Sequence, residues 1–291
     1  MGITTDDVNI DVDKLVSWKA AIVSRLTGGI GTLLSKNGVT VVHGSAKFKT
    51  ANAVEVTGKD GTQVLEADDV VIATGSTPIE LPGFKFDEAD VWSSTGALAP
   101  DRIPAHIVVI GGGYIGLELG CMYRKLGSEV TVLEATDGAL PGQDRDCVKV
   151  IERSLKKSKV KLFTNTFARG YERDGDTLKV RIERAGKEEV VECDQIISTV
   201  GRRPYSAGLG LDAIGLSVNE RGFLEINGRM QTKVPNVYAV GDVAGQPMLA
   251  HKGSKEGLVA AAVIAGQAEE YDAKCVPAVI FTSPEMASVG L

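Results

Sequence analysis

The chain has 291 residues with 32 basic and 38 acidic side chains, a net charge of −6, and a hydrophobic fraction of 43%. That length predicts about two domains, and the composition is that of an ordinary folded protein rather than a disordered one. The mild acidity and lack of a basic cluster argue against nucleic acid as a main partner.

The N-terminus carries Asp6 and Asp7 and no basic-then-apolar leader pattern, and Met1-Gly2 lacks the Ser or Thr at position 6 that myristoylation wants. No apolar run approaches the length of a membrane span; Leu258 to Ala265 is too short. The expected location is the cytosol, or an organelle matrix after loss of a leader. Cys121, Cys147, Cys193 and Cys275 form neither a CxxC nor a CxxxxC pair, and His43, His106 and His251 are too dispersed for a metal cluster. Buried, inert thiols are the expectation.

In chain order, Leu15, Trp18, Ile22 and Leu26 recur at helical spacing, predicting a helix over 12–27 that Gly28-Gly29 stops. VTVVHG, AVEVTG, TQVLEA and VVIATG predict a hairpin meander followed by a buried strand. Pro78, Pro82, Pro100 and Pro104 punctuate a connector. HIVVI then reads as a buried strand, GGGYIG as a tight turn, LELGCMYRKLG as a helix and EVTVLE as a second strand, a complete βαβ unit of a parallel sheet. A helix around 144–158 follows, then strands at KLFT, LKVRIER, EEVVEC and QIISTVG. VYAVGD is a further strand and about 252–266 a further helix.

Gly111-x-Gly113-x-x-Gly116 lies between the first strand and helix of that βαβ unit. The first glycine permits the turn, the second lets backbone approach a pyrophosphate, and the third lets helix and strand pack closely. The helix N-terminus faces the phosphates with free N–H groups and a partial positive charge. Glu134 ends the second strand 23 residues beyond Gly111, where a carboxylate is expected to hold an adenosine ribose. It accepts from ribose hydroxyls and repels a 2′-phosphate. Ala135 and Thr136 follow it with no arginine, so NAD is expected over NADP. A ligand-free glycine turn is the alternative. Asp242, just beyond the VYAVGD strand, sits where α/β ligands bind, with a simple turn aspartate as its alternative.

The order ATGSTP, IGGGYIGLELG, TVLE, TVGRRP, YAVGD and GQPMLAHKGSKEG resembles the flavin-dependent pyridine nucleotide-disulfide oxidoreductases over essentially the whole chain, and within them the branch that oxidises dihydrolipoamide. The resemblance implies an α/β fold with two Rossmann-like nucleotide-binding domains, each with a β-meander. It implies that 1–104 and 206–275 are parts of an incomplete FAD domain, 105–205 an inserted NAD domain, and 276–291 the start of an interface domain. It further implies that Gly111, Gly112, Gly113, Tyr114, Ile115, Gly116, Leu117 and Glu118 line the NAD site with Glu134, with Phe167 beside the adenine and Gly201 toward the nicotinamide. Tyr114 would sit over the flavin, and Glu118 near its reactive nitrogen unless it is only a helix-surface acid. Ala46, Thr74, Gly75, Ser76, Asp242, Met248, Leu249, Ala250 and His251 would contact FAD.

The family's first βαβ unit and CxxxxC pair are not among these residues, nor is its His–Glu base. The chain therefore reads as the middle of a longer enzyme, with no catalytic residue of its own and no turnover expected. The resemblance implies a homodimeric parent serving the lipoyl domain of 2-oxoacid dehydrogenase complexes and working in redox homeostasis. Another disulfide reductase or transhydrogenase of the family, and a non-catalytic NAD-binding module, remain as alternatives.

Overall fold

The computed structural model describes residues 8–290; the acidic N-terminal stretch and the Met1-Gly2 start lie outside the described residues. The chain divides into two compact units, one built mainly from residues 78–201 with 279–287, the other from 37–77 with 202–278. The sequence divisions were expected at 104/105, 205/206 and 275/276. Residues 78–104 go with the first unit because the Val91–Trp92 strand joins its sheet and Phe84 is buried in its core.

The first unit is centred on a five-stranded parallel sheet. Its strands lie in the order Val91–Trp92, Gln195–Ser198, His106–Ile110, Glu129–Leu133 and Lys161–Phe163. Strand side chains alternate between faces. Ile107, Val109, Val130, Val132 and Ile197 enter one core, while Val108, Ile110, Leu133 and Ile196 enter another. Near-continuous apolar runs such as HIVVI are what a sheet covered on both sides requires.

The first face is covered by two helices. One, Tyr114–Leu126, buries Leu117, Leu119 and Tyr123, and the other, Arg145–Lys157, buries Val148, Ile151 and Leu155. Asp144 caps the latter, accepting from the Asp146 and Cys147 N–H groups. The opposite face is covered by an antiparallel meander of Thr166–Asp174, Thr177–Arg184 and Lys187–Cys193, through Leu178, Val180 and Ile182. The sequence reading missed the Thr166–Asp174 strand, because a bulge between Ala168 and Gly170 breaks its alternation.

The second unit holds a meander of Ser45–Thr50, Ala53–Gly58 and Gly61–Glu66. The VTVVHG run expected to open this meander is not a strand. Pairing begins only at Ser45, and Val39 and Val41 are exposed. Val70–Ile72 pairs in parallel with Val237–Ala239, and the Ala250–Ile264 helix packs Val259, Ala260 and Val263 against Tyr238 and Val240.

The first helix also departs from expectation: it continues through Gly28 and Gly29 to Lys36. Its apolar spacing does not stop at Leu26 but runs on through Ile30 and Leu33. Two glycines cost a helix only about 1 kcal/mol each. None of its side chains is buried.

Candidate nucleotide sites

In the first unit, the glycine turn joins the His106–Ile110 strand to the Tyr114–Leu126 helix. Gly111 has φ +105, a conformation L side chains rarely adopt, and a Cβ there would meet the Thr199 carbonyl oxygen at 2.5 Å. A Cβ on Gly116 would lie 2.1 Å from the Gly111 oxygen and 2.6 Å from Thr199 Oγ1, so helix and strand approach as closely as the motif predicts. A Cβ on Gly113 would meet nothing within 4 Å. Gly113 is the N-cap, no side chain caps the helix, and no acidic residue stands in its first turn. This end of the helix suits an anion. Ile115 and Leu117 follow in the first turn, with Leu117 buried.

Glu134 is buried and bound to this turn. Its Oε2 accepts from the Gly112 N–H at 2.7 Å, and its Oε1 accepts from the Thr136 N–H and hydroxyl, both at 2.8 Å. A carboxylate offers roughly four acceptor positions, so Oε2 retains one beyond the Gly112 N–H. The Glu134 carbonyl accepts from the Thr166 N–H at 2.9 Å, which sets Phe167 on the adjoining strand beside it. Phe167 is 43% exposed, with the Arg169 guanidinium 5.0 Å from its ring centre. The turn and the carboxylate thus meet at the carboxyl end of the parallel strands, where ligands of α/β sheets bind, with Phe167 on the adjoining strand.

Elsewhere in this unit, Gly201 has φ +133 and its carbonyl accepts from the Ile79 N–H. Tyr114 is 42% exposed at the start of the helix, and Glu118 accepts the Phe281 N–H at 2.8 Å. Sequence spacing overlooked one basic group. Arg145 donates to the Ala139 carbonyl at 2.9 Å and pairs with Glu152 at 3.3 Å, so an arginine does stand at the strap that follows Glu134.

The second unit gathers a different set. Ser76 donates to Asp242 Oδ2 at 2.5 Å, and Arg202, which sequence reading did not single out, donates through Nε to Ser76 Oγ at 2.8 Å and through Nη2 to the Ser76 carbonyl at 2.7 Å. The Thr74 hydroxyl donates to the Tyr205 carbonyl, and Gly75, at φ +70, accepts the Tyr205 N–H. Two loops far apart in sequence are therefore tied into one polar cluster.

Asp242 lies in the Gly241–Val243 turn, which a buried ion pair holds from below. Glu256 accepts the Gly241 N–H at 2.7 Å, Lys252 donates to the Gly245 carbonyl at 3.2 Å, and the two side chains, 4% and 6% exposed, are 2.9 Å apart. Their i, i+4 spacing was the signal available in the sequence. Met248 and Leu249 lead into the Ala250–Ile264 helix, whose N-cap Leu249 offers no side-chain cap. The His251 ring is engaged at Nε2 with the Pro277 carbonyl at 2.7 Å. Ala46, on an exposed stretch of the Ser45–Thr50 strand, pairs with Val56 and contacts none of this cluster through any hydrogen bond.

Among the described residues, no group of histidine, cysteine and acidic side chains is placed to hold a metal ion, and no helix is long and apolar enough to cross a membrane. All four cysteines are unpaired. Burial pushes the Cys193 thiol up to about 12 and raises that of Cys121. Cys147 and Cys275 are exposed, which corrects the expectation that all four are buried.

The chain is 46% identical over 291 residues to dihydrolipoyl dehydrogenase of Bacillus subtilis and 47% identical over 285 residues to that of Thermus scotoductus, covering 100% and 97% of this chain but 62% and 60% of those proteins. The chain thus spans about three fifths of the curated relatives it matches. The crystal structure of LpdA from Mycobacterium tuberculosis superposes with a TM-score of 0.90 at 29% identity, over 98% of this chain and 63% of that one. The HOCl-induced flavoprotein disulfide reductase RclA from Escherichia coli gives 0.86 at 27% identity, over 95% of this chain and 63% of that one. Residues 4–257 match the family described as pyridine nucleotide-disulphide oxidoreductase, and the chain belongs to that family.

Proposed function

We propose that this chain is the NAD-binding and part of the FAD-binding portion of an enzyme of the dihydrolipoyl dehydrogenase type, which passes electrons from dihydrolipoamide to NAD. The observation that carries the reading is Glu134, bonded to the Gly112 amide of the glycine turn with one acceptor position in reserve. Bound flavin supplies the two-electron relay between dithiol and nicotinamide. The chain's own residues bind and orient: the Gly113 helix end receives the NAD pyrophosphate, Glu134 a ribose hydroxyl, and the Ser76–Asp242–Arg202 cluster the polar chain of FAD. The parent acts as a homodimer on the lipoyl domain of 2-oxoacid dehydrogenase complexes, in the cytoplasm.

Replacing Glu134 with Ala removes a charged acceptor, and NAD binding is expected to weaken by about 1–3 kcal/mol. Isothermal titration reads this directly. For the reaction, NAD reduction by dihydrolipoamide is expected from the full-length parent and not from the 291-residue chain, whose four thiols are unpaired. Turnover by this chain that survives replacing all four cysteines with serine contradicts a disulfide mechanism. The unpaired thiols also suit the alternative of a non-catalytic NAD-binding module, which predicts NAD binding without turnover.

A further inference from the structure

Between Glu134 and the helix that follows it, the backbone forms a short strap held by several hydrogen bonds. Thr136 donates from both its N–H and its hydroxyl to Glu134 Oε1, and its hydroxyl also lies 3.0 Å from the Gly138 carbonyl. Gly138, Ala139 and Leu140 are buried. Ala139 is gripped on both sides of its peptide: its N–H donates to Glu152 Oε1 at 3.1 Å, and its carbonyl accepts from Arg145 Nη1 at 2.9 Å. Leu140, in the left-handed region at φ +50, donates its N–H to the Gly112 carbonyl at 2.9 Å. The Gly112 N–H is bonded to Glu134, so the circuit closes on the phosphate turn. The arginine packs so tightly that a Cβ on Gly138 would lie 2.1 Å from its Nη2.

We infer that Arg145 and Glu152 are positioning residues for cofactor selection: they clamp the 136–140 strap so that Thr136 aims the Glu134 carboxylate at the ribose. The inference rests on the NAD reading above. Selectivity follows because NAD and NADP differ only at the 2′ position of that ribose. A fixed carboxylate accepts from the 2′-hydroxyl and repels a 2′-phosphate. A loosened one turns away, giving up the first interaction and relieving the second. The pairing with Glu152 has a second effect, since it keeps the Arg145 charge engaged at the strap rather than offered to a phosphate. Neither side chain needs to touch the nucleotide.

The test is titration of the 291-residue chain with NAD and with NADP, using Glu152→Ala and, as a second route to the same loosening, Arg145→Met. Losing one charge-assisted contact at the strap is expected to weaken NAD about tenfold while changing NADP less than about twofold, so the selectivity ratio falls. Glu152→Gln, which still accepts from the Ala139 N–H, is expected to restore part of the ratio. In a Glu134→Ala background, Glu152→Ala is expected to add no further loss, because its action passes through that carboxylate. Equal weakening of NAD and NADP, or an unchanged ratio in both variants, overturns the inference while leaving the NAD reading intact. Absence of NAD binding by the unaltered chain overturns both.

Discussion

The two units use the same local device, an apolar strand running into a glycine-containing turn, but support it differently. In the first unit the turn at Gly111 leaves a strand paired on both sides, in a five-stranded sheet covered by two helices and a meander. In the second unit the turn at Gly241 leaves a strand of a two-stranded sheet. There the support comes from side chains: the buried Lys252–Glu256 pair beneath the turn, and Arg202 with Ser76 beside Asp242. A sheet holds a turn through backbone pairing that tolerates many side-chain changes. A buried ion pair holds it through two groups that cannot be separated cheaply. The first unit should therefore be robust to polar substitutions and sensitive to backbone crowding, and the second the reverse.

The largest expected effect falls on the second unit. Glu256→Ala leaves the Lys252 charge and the Gly241 N–H buried without their partner, a change that typically costs about 3–5 kcal/mol. Chemical denaturation followed by a probe in each unit is expected to show the second unit unfolding early and the first unchanged. Simultaneous loss of both contradicts the division of labour.

The first unit's weakness is crowding. Gly116→Ala places a Cβ against the backbone oxygen of Gly111, and overpacking of this kind costs about 1–3 kcal/mol. The same denaturation experiment is expected to show the opposite order, with NAD binding lost as well. Normal stability and normal NAD affinity in Gly116→Ala would mean that strand and helix are not in close contact.

A smaller effect comes from pH. Burial lowers the pKa of His106 below its ordinary 6.5, with opposing pulls from Glu129 and Asp194 and a concerted one from Lys161. The ring Nε2 lies 2.9 Å from Thr131 Oγ1, and its burial disfavours the protonated form in the first unit. Because the folded pKa is the lower one, the unfolded chain binds the proton first, and stability falls as pH drops through 6.5 toward the folded value. His106→Gln is expected to flatten that slope for the first unit and leave the second unaffected.

Much of the candidate dinucleotide site was legible in the sequence because its geometry rests on backbone demands. Gly111 is required by φ and by close approach and Gly116 by close approach, Gly113 leaves the helix end uncrowded, and Glu134 is marked by its distance along the chain, so spacing alone points to them. The second unit's cluster was legible only in part. Asp242 and Ser76 stand out at strand ends, but Arg202 reaches Ser76 across 126 positions, and nothing local marks that partnership. Arg145 escaped for a related reason. It is 11 residues beyond Glu134, outside any window for a 2′-phosphate ligand, and returns to the strap only because its helix packs on the same sheet face. The long first helix shows the opposite error, where two glycines were given more weight than an apolar period that continued past them.

The central claim is that the turn at Gly111 and the carboxylate of Glu134 form one NAD-selective site within the first unit. Isothermal titration of the 291-residue chain tests it most directly, with NAD and NADP compared at the same ionic strength. Saturable binding of one NAD per chain, with NADP weaker by about tenfold or more, is the result expected for a carboxylate bonded to the ribose and facing a 2′-phosphate. NADP binding as tight as NAD, or no NAD binding at all, would contradict it.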